Sequence, residues 1–383
     1  MKKQHVFIGV FLVVLFMGGF FSGAFFSKNE AKPEYDVKQS PYSTKSPNMK
    51  DMPKIEEQKS SVLIGYNQDF RDPNQVDYEK LTHVIFSFAH PEKDGSLLFT
   101  GDHAIKNLQD TVKNAKKHQT KVILAVGGWY HMNGGESYGY FSSALANQTS
   151  RNKLITELMT AVEKYNLDGI DIDFEHPRTN EDATNLTVFM KELSKQLHSK
   201  EKELSIAVHS KIHGETLTEL GYVKYEPTMF EYVDYVNIMA YDGQWDGGYF
   251  AKNLSPYPFT EKIVSYWGTL FDSHKLSKEK LVLGVPFYAQ PENPDIKQVS
   301  YGAIVSADPK NATNDTVMMN DTTYHFNGKT TMQRKTELAL NNGFGGMMIW
   351  ELGHDSTGPE SMVGTIYEAL EATKVSGYYT LKK

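Results

Sequence analysis

The chain has 383 residues, a formal net charge of −7 at pH 7 and no cysteine. This length fits one large or two medium domains, and the apolar and aromatic content suffices for a sizeable core. The mild acidic balance argues against a nucleic-acid partner, which would favour a basic surface. The lack of cysteine excludes disulfides, thiolate metal sites, a cysteine nucleophile and a lipidated cysteine.

Residues 1–26 have the pattern of an export signal. Lys2 and Lys3 precede an uncharged run over 6–26 that is rich in Val, Leu and Phe, and small residues occupy 22–24. A charged segment followed by an apolar one is typical of a signal peptide, and the run is also long enough to span a bilayer if it stays uncleaved. We therefore expect a protein that is secreted, or anchored in the membrane by this segment alone and facing outside.

Residues 27–60 predict a polar linker. Lys, Glu, Ser and Pro dominate this segment, and no periodic apolar face is present. Such a composition cannot bury enough apolar surface to fold and favours an extended tether. The linker therefore separates the N-terminal segment from the folded part of the chain.

From residue 61 onward, short apolar runs alternate with longer amphipathic stretches. Eight runs predict strands, over 61–66, 82–89, 121–128, 167–175, 204–210, 233–242, 280–288 and 345–351. Helices are predicted over 103–118, 138–165, 181–199, 260–277, 329–342 and 358–373, with a weaker one near 217–232. The alternation indicates parallel strands joined by helical crossovers. Eight such units predict an α/β fold of the TIM (β/α)8 barrel type over 61–375, followed by a C-terminal tail over 376–383. An open doubly wound sheet is the rival, weakened because no glycine-rich phosphate loop follows the first strand.

The fourth predicted strand contains four carboxylates, in the sequence NLDGIDIDFEHP at 166–177. Because side chains on a strand alternate between its faces, Asp171, Asp173 and Glu175 share one face. In a barrel this face is the lumen, and Glu175 lies nearest the C-terminal mouth, where barrel active sites form. Neighbouring carboxylates raise one another's pKa, which suits acid–base chemistry with Glu175 as a protonated general acid. A calcium or magnesium site is the alternative, although a straight row does not wrap around an ion.

The pattern Asp-x-x-Asp-x-Asp-x-Glu at 168–175 resembles the signature of glycoside hydrolase family 18, the chitinases and their relatives. Further segments resemble motifs of that family in the same order, namely VILAVGGW at 122–129, MAYD at 239–242, GVPFY at 284–288 and GMMIWE at 346–351. The resemblance covers residues 61 to about 375. It implies an exported monomeric enzyme that cleaves β-1,4 bonds between N-acetylglucosamine units, as in chitin, without a cofactor or a metal.

The resemblance also implies a role for each matching residue. In the family, the substrate's own 2-acetamido oxygen attacks the anomeric carbon, and the bond is cleaved with retention. Carried over, Glu175 is the general acid and base, Asp173 binds the acetamido N–H, Asp171 tunes Asp173, and Tyr241 holds the acetamido oxygen. The implied substrate-binding residues are Tyr66, Trp129, Met239, Asp242, Tyr288, Trp350 and Trp245.

The chain departs from the family pattern at four places. Ala125 stands where relatives have a serine that supports the acidic cluster, and Gln290 follows Ala289 where many chitinases have Gly-Arg. The connection over 289–344 is too short for the large α+β insertion of tunnel-forming members, which predicts an open groove and endo cleavage. His176 follows Glu175 where relatives often carry an aromatic residue.

Two other functions remain open. The same residues would serve an endo-β-N-acetylglucosaminidase that acts on N-glycans or peptidoglycan. A non-catalytic lectin on the same barrel would bind chitooligosaccharides without cleaving them. Such lectins usually lose the acid, so the presence of Glu175, Asp173 and Tyr241 favours an enzyme.

Overall fold

The computed structural model describes residues 61–377, with the side chains of 61–372. The predicted signal segment at 1–26, the predicted linker at 27–60 and residues 378–383 of the predicted tail lie outside the described residues. Across the described part of the chain, no helix combines the length and the apolar character needed to cross a membrane.

Eight of the strands within residues 61–377 form a closed parallel barrel. In chain order the strands are β1 (Val62–Gln68), β2 (His83–Pro91), β3 (Leu97–Phe99), β4 (Lys121–Gly127), β5 (Gly169–Asp173), β6 (Glu203–His209), β7 (Tyr235–Met239), β8 (Leu281–Pro286), β9 (Tyr288–Pro291), β10 (Val299–Ser300), β11 (Thr316–Met319), β12 (Thr322–His325) and β13 (Gly346–Trp350). The barrel consists of β1, β2, β4 to β8 and β13. Strand β1 pairs with both β2 and β13, which closes the sheet. The predicted TIM barrel is therefore confirmed, and the open sheet is excluded.

Helices cover the outside of the barrel. They are α1 (Asp102–Ala115), α2 (Tyr138–Leu145), α3 (Gln148–Tyr165), α4 (Asn180–His198), α5 (Tyr257–Ser273), α7 (Lys329–Asn341) and α8 (Met362–Gly377), while α6 (Tyr301–Ala307) lies in the connection between β8 and β13. The predicted helix over 138–165 is two helices, because the side chain of Asn147 accepts the N–H of Ser150 and begins α3 anew. The weak helix near 217–232 is reduced to a short 3-10 segment, Pro227–Tyr232.

The wall of the barrel separates two apolar clusters. The outer cluster lies between strands and helices and receives Ile170, Ile172 and Phe174 from the β5 segment. The smaller inner cluster fills the lumen and contains residues such as Ile64 and Met348. Because strand side chains alternate, β1, β2, β4, β8 and β13 contribute to both clusters, whereas the inner face of β5 carries carboxylates instead.

The connection between β8 and β13 contains a second, antiparallel sheet. Its strands are ordered β10-β9-β12-β11, and α6 follows β10. The length of the connection predicts that the large α+β insertion is missing, and a small α+β unit stands in its place. Its strands, of two to four residues, give little periodic signal in the sequence. The connection is therefore a compact α+β unit, and it contributes Gln290 and Gln298 to the wall of the main cavity.

Candidate active site

Strand β5 presents its acidic row to the lumen and its apolar row to the helices, as predicted. Asp171 and Asp173 are buried, with exposed fractions of 0% and 3%. Glu175 follows the end of the strand, and its side chain is 20% exposed. The row therefore runs from the closed interior of the barrel to a position that a substrate can reach.

Three donors surround Asp171 at the lower end of the row. The Ser205 hydroxyl donates to Oδ1 at 2.5 Å, the Tyr66 hydroxyl donates to Oδ2 at 2.7 Å, and Asn237 Nδ2 donates to Oδ1 at 3.2 Å. Burial raises the pKa of Asp171, while these three hydrogen bonds lower it. Asp171 is thus the carboxyl of the row whose negative charge the protein solvates best.

Asp173, in the middle of the row, lacks such support. Its Oδ1 is buried and has no hydrogen-bond partner among the described residues. Burial raises the pKa of Asp173 well above its ordinary value, and the charges of Glu175 and Asp171 raise it further. Asp173 therefore holds a proton when Asp171 is ionised.

Glu175, at the upper end, is also held protonated. Burial raises the pKa of Glu175 to about 8, the Asp242 charge adds to this rise, and the backbone N–H of Trp129 partly opposes it. A carboxyl group with this pKa is protonated at neutral pH and can donate its proton to a substrate. Such a group meets the chemical requirement for a general acid.

The upper end of the row opens into a cavity of about 640 Å³, within the usual range for ligand sites. The predicted residues that line it are Tyr66, Trp129, Asp173, Glu175, Met239, Tyr241, Asp242, Trp245, Tyr288 and Trp350. Asp171 lies beneath the cavity rather than on its surface. A second cavity, of about 470 Å³, lies between the loops that follow β1 and β13 and is not lined by the acidic row.

A polar cluster stands beside Glu175 in the main cavity. The Tyr288 hydroxyl donates to Asp242 Oδ1 at 2.5 Å, and Gln244 Nε2 donates to the same oxygen at 2.9 Å. Burial raises the pKa of Tyr241 well above its ordinary value, and the Asp242 charge raises it further. Tyr241 therefore keeps its hydroxyl proton and remains a hydrogen-bond donor.

Three tryptophans present apolar surface to the cavity. Trp350 lies at the end of β13, with its ring centroid 5.5 Å from that of Tyr66 and 5.8 Å from that of Phe88. Trp129 and Trp245 are 51% and 62% exposed. Aromatic faces of this kind pack well against the apolar faces of sugar rings.

The cavity also contains residues that the sequence analysis did not assign to it. These are His176, Ala207, His209, Tyr222, Asp246, Gln290, Gln298 and Met348. The position of His209 at the C-terminal end of β6 was a usable signal, because barrel sites form at that end. Tyr222 lies in a loop without any pattern.

Two histidines stand close to the acid. His176 Nδ1 lies 3.8 Å from Glu175 Oε2, and its ring meets Trp129 edge to face at 5.0 Å. Burial lowers the pKa of His176 to about 4 and that of His209 to about 3. Both rings are therefore neutral near pH 7 and do not draw the proton from Glu175.

The departures from the family pattern have structural counterparts. Gln290 Nε2 donates to Gln298 Oε1 at 3.2 Å, and the Tyr249 hydroxyl donates to Gln290 Oε1 at 3.3 Å. Neutral amides thus occupy the cavity wall near the position of the missing arginine. Ala125 is fully buried in the inner cluster, paired in register with Asp171. Among the described residues, no group of three or more His, Cys, Asp or Glu could hold a metal ion.

Comparison with known proteins agrees with this geometry. The family described as "Glycosyl hydrolases family 18" matches residues 62–355. "Probable chitinase 10" of Drosophila melanogaster is 27% identical over 57% of this chain. The matched region is only 10% of that protein's length. The GH18 chitinase ChiB from the chitin utilization locus of Flavobacterium johnsoniae is 26% identical, with a TM-score of 0.68, over 83% of this chain and 96% of that one. The chitinase-like agglutinin RobpsCRA of Robinia pseudoacacia, at 19% identity, has a TM-score of 0.67 over 80% of this chain and 99% of that one.

Proposed function

Because the chain belongs to the glycosyl hydrolases family 18, we propose that it is an active, chitinase-like glycosidase. Its substrate is a chain of β-1,4-linked N-acetylglucosamine units, and the bond is cleaved with retention by a substrate-assisted mechanism. The observation that carries this proposal is the position of Glu175, which lines the cavity beside the buried carboxyl of Asp173 and whose pKa burial raises to about 8.

The first step is proton transfer from Glu175 to the oxygen of the bond that breaks. Since the pKa of Glu175 is about 8, its carboxyl group carries the proton at neutral pH. As the leaving group departs, positive charge develops at the anomeric carbon, and the substrate's acetamido oxygen attacks this carbon. An internal nucleophile held in line supplies a large effective concentration.

Asp173 and Tyr241 orient the acetamido group in this scheme. Both line the cavity next to Glu175. The Tyr241 hydroxyl donates a hydrogen bond to the acetamido oxygen and keeps its proton. Asp173 accepts a hydrogen bond from the acetamido N–H through the carboxyl oxygen that carries no proton, while the proton of Glu175 goes to the leaving group. The ionised Glu175 then takes a proton from the water that opens the cyclic intermediate, which regenerates the acid.

The shape of the cavity supports a sugar polymer as substrate. Trp350 offers an apolar floor under the sugar at the bond that breaks, while the exposed faces of Trp129 and Trp245 extend the surface along the groove. Asp242 and Tyr288 supply polar contacts from one side. We propose endo cleavage by a monomer, and an extracellular location on the basis of the sequence pattern at 1–26.

The test is to incubate the purified full chain with chitotetraose, chitin, peptidoglycan and a high-mannose glycopeptide, beside a Glu175→Gln control. Products are identified by mass spectrometry. Cleavage of chitotetraose that is lost in the control supports the proposal, and the product sizes give the cleavage mode. Release of glycan from the glycopeptide alone, or cleavage of peptidoglycan alone, assigns an endo-β-N-acetylglucosaminidase. Tight sugar binding that is equal in the control, with every substrate intact, would assign a lectin and overturn the enzyme proposal.

A further inference from the structure

Three strands meet at the level of Asp171 in the barrel wall. In the parallel register, Asp171 of β5 lies opposite Ala125 of β4 on one side and Ser205 of β6 on the other. All three residues are buried, with exposed fractions of 4% or less. Of the two strands that flank β5, β6 therefore supplies a hydroxyl at this level, and β4 provides only a methyl group.

Ser205 makes the shortest of the three hydrogen bonds to Asp171. Its Oγ lies 2.5 Å from Oδ1, while the donors on β1 and β7, Tyr66 and Asn237, lie at 2.7 Å and 3.2 Å from the carboxylate oxygens. Hydrogen bonds to an ionised, buried carboxylate are shorter and stronger than those between neutral groups. The geometry thus favours a charged Asp171 that receives these protons.

The charge on Asp171 decides where the remaining proton of the row resides. Asp173 lies two positions further along β5, and its Oδ1 has no hydrogen-bond partner in the described part of the chain. The titratable groups that act on this level are Asp173 from β5, Tyr66 from β1, and Tyr241 from the segment after β7. Burial raises the pKa of both tyrosines well above 10, so neither brings a charge. Asp171 and Asp173 therefore share one negative charge. Three hydrogen-bond donors stabilise this charge on Asp171, whereas Asp173 Oδ1 has no donor in the described part of the chain.

We propose that Ser205 is a positioning residue that keeps the first negative charge of the acidic row on Asp171 and so leaves Asp173 protonated beneath Glu175. This inference rests on the proposed glycosidase function. The charge at the bottom of the row stabilises the positive charge that develops in the substrate, and the protonated Asp173 is ready to reorient toward the acetamido group. Ser205 acts on the reaction only through Asp171 and does not line the cavity.

The test compares the full wild-type chain with three variants, Ser205→Ala, Ser205→Thr and the double variant Ser205→Ala with Ala125→Ser. The kcat and KM of each are measured on a chitooligosaccharide between pH 3 and 9. Without the Ser205 hydroxyl, the first proton is lost from the row less easily, so the acid limb of the kcat/KM profile moves to higher pH. Loss of one hydrogen bond to a charged group predicts a shift of about one pH unit, and a fall of about tenfold in kcat/KM on that limb. At the pH optimum, KM stays within about twofold, because the sugar contacts are unchanged.

The restored hydroxyls give the proposal its control. Ser205→Thr supplies the hydroxyl from the same strand, and the double variant supplies it from β4 at the same level. Return of the acid limb to its wild-type position in either of them supports the proposal. An unmoved acid limb in Ser205→Ala overturns it, as does an activity loss that is equal at every pH and persists in both restored variants, which would indicate a packing role.

A second readout does not depend on activity. The 13C shifts of the carboxyl carbons are followed with pH in aspartate-labelled wild type and Ser205→Ala, and Asp171 is identified by its missing resonance in Asp171→Asn. The proposal expects Asp171 to titrate at higher pH in Ser205→Ala, and identical titration in the two proteins overturns it. An inactive wild type would overturn the proposed function, while this titration would still test the role of Ser205.

Discussion

The two faces of strand β5 differ in their effect on stability, although their residues alternate along the chain. The outer face places Ile170, Ile172 and Phe174 in the large apolar cluster under the helices. The inner face places Asp171 and Asp173 in the lumen, where burial raises the pKa of both carboxyl groups. The outer face lowers the free energy of the folded state, and the inner face raises it. In this five-residue strand, alternate residues therefore serve stability and the candidate active site. Substitutions on the two faces should have separable effects.

The largest effect is expected at the upper end of the inner face. Glu175→Gln removes the transferable proton but retains the shape of the neutral acid, so kcat should fall by about 10²- to 10⁴-fold. Thermal unfolding at pH 7 should show no loss of stability, because the native carboxyl is already neutral there. Hydrolysis assays and calorimetry on the same preparations check both parts. A variant with reduced stability and intact activity would contradict the division between the faces.

The outer face should respond in the opposite sense. Ile172→Ala opens a cavity in the cluster under the helices, so the free energy of unfolding should fall by about 2–5 kcal/mol, while kcat stays within about threefold. Urea denaturation measures the first quantity and the hydrolysis assay the second. Asp173→Asn, one residue along the same strand, is the matched control and should lose activity without this loss of stability. Equal stability losses in the two variants would refute the comparison.

Tyr241→Phe tests the donor that stands beside the acidic row. The variant keeps the buried ring but, under the proposed mechanism, cannot donate to the acetamido oxygen, so kcat should fall by about 10- to 100-fold, the range for a hydrogen bond to a developing charge. KM should change less, because the contact strengthens as the reaction proceeds. Steady-state kinetics on chitotetraose give both parameters. A larger change in KM than in kcat would assign Tyr241 to ground-state binding instead.

The raised pKa of Glu175 predicts a pH dependence of both activity and stability. Activity should decline as pH rises through about 8, because the acid is lost. Unfolded glutamate ionises near pH 4.5, so between 4.5 and about 8 the unfolded state has lost a proton that the native state retains. The contribution of Glu175 to stability is therefore full below 4.5, falls across this window and is lost above about 8. Unfolding of wild type and Glu175→Gln at several pH values checks the sign, since the variant should gain stability relative to wild type as pH rises.

The smallest effect is expected outside the lumen, at the rim of the cavity. Trp245 is 62% exposed, so Trp245→Ala removes an aromatic platform without opening the core. KM for chitotetraose should rise about two- to tenfold, in keeping with the modest value of one aromatic contact, and kcat should stay near that of wild type. Kinetics with shorter and longer oligomers locate the subsite. An equal effect on all lengths would place Trp245 at the bond that breaks.

The barrel could be predicted well because its strands are short apolar runs and most of them are followed by a helix. The acidic row was equally visible, since carboxylates at every second position of an apolar strand have a single orientation in a closed barrel. The motifs lie at the C-terminal ends of barrel strands, and ten of the predicted site residues line one cavity. These signals lie within single strands, so the periodicity of the sequence is enough to detect them.

The remaining features depend on contacts between distant strands. Ser205 and Asn237 are single polar residues in apolar strands, and only the register of β5, β6 and β7 shows that both donate to Asp171. Similarly, Gln298 reaches the cavity through the small sheet between β8 and β13, whose short strands have no clear period. A buried polar residue within an apolar strand was the available signal, but the sequence did not indicate its partner.

The closure of the barrel has a consequence for biosynthesis. Val62 at the beginning of β1 lies opposite Gly346 at the beginning of β13, so the last pairing waits until nearly the whole domain has left the ribosome. At the usual 5 to 20 residues per second, synthesis of the intervening chain takes about 15 to 60 s. During that interval one side of β1 presents unpaired N–H and C=O groups, which can capture a strand of a neighbouring nascent chain. The first strand of the barrel thus keeps one exposed edge until the last strand has been made.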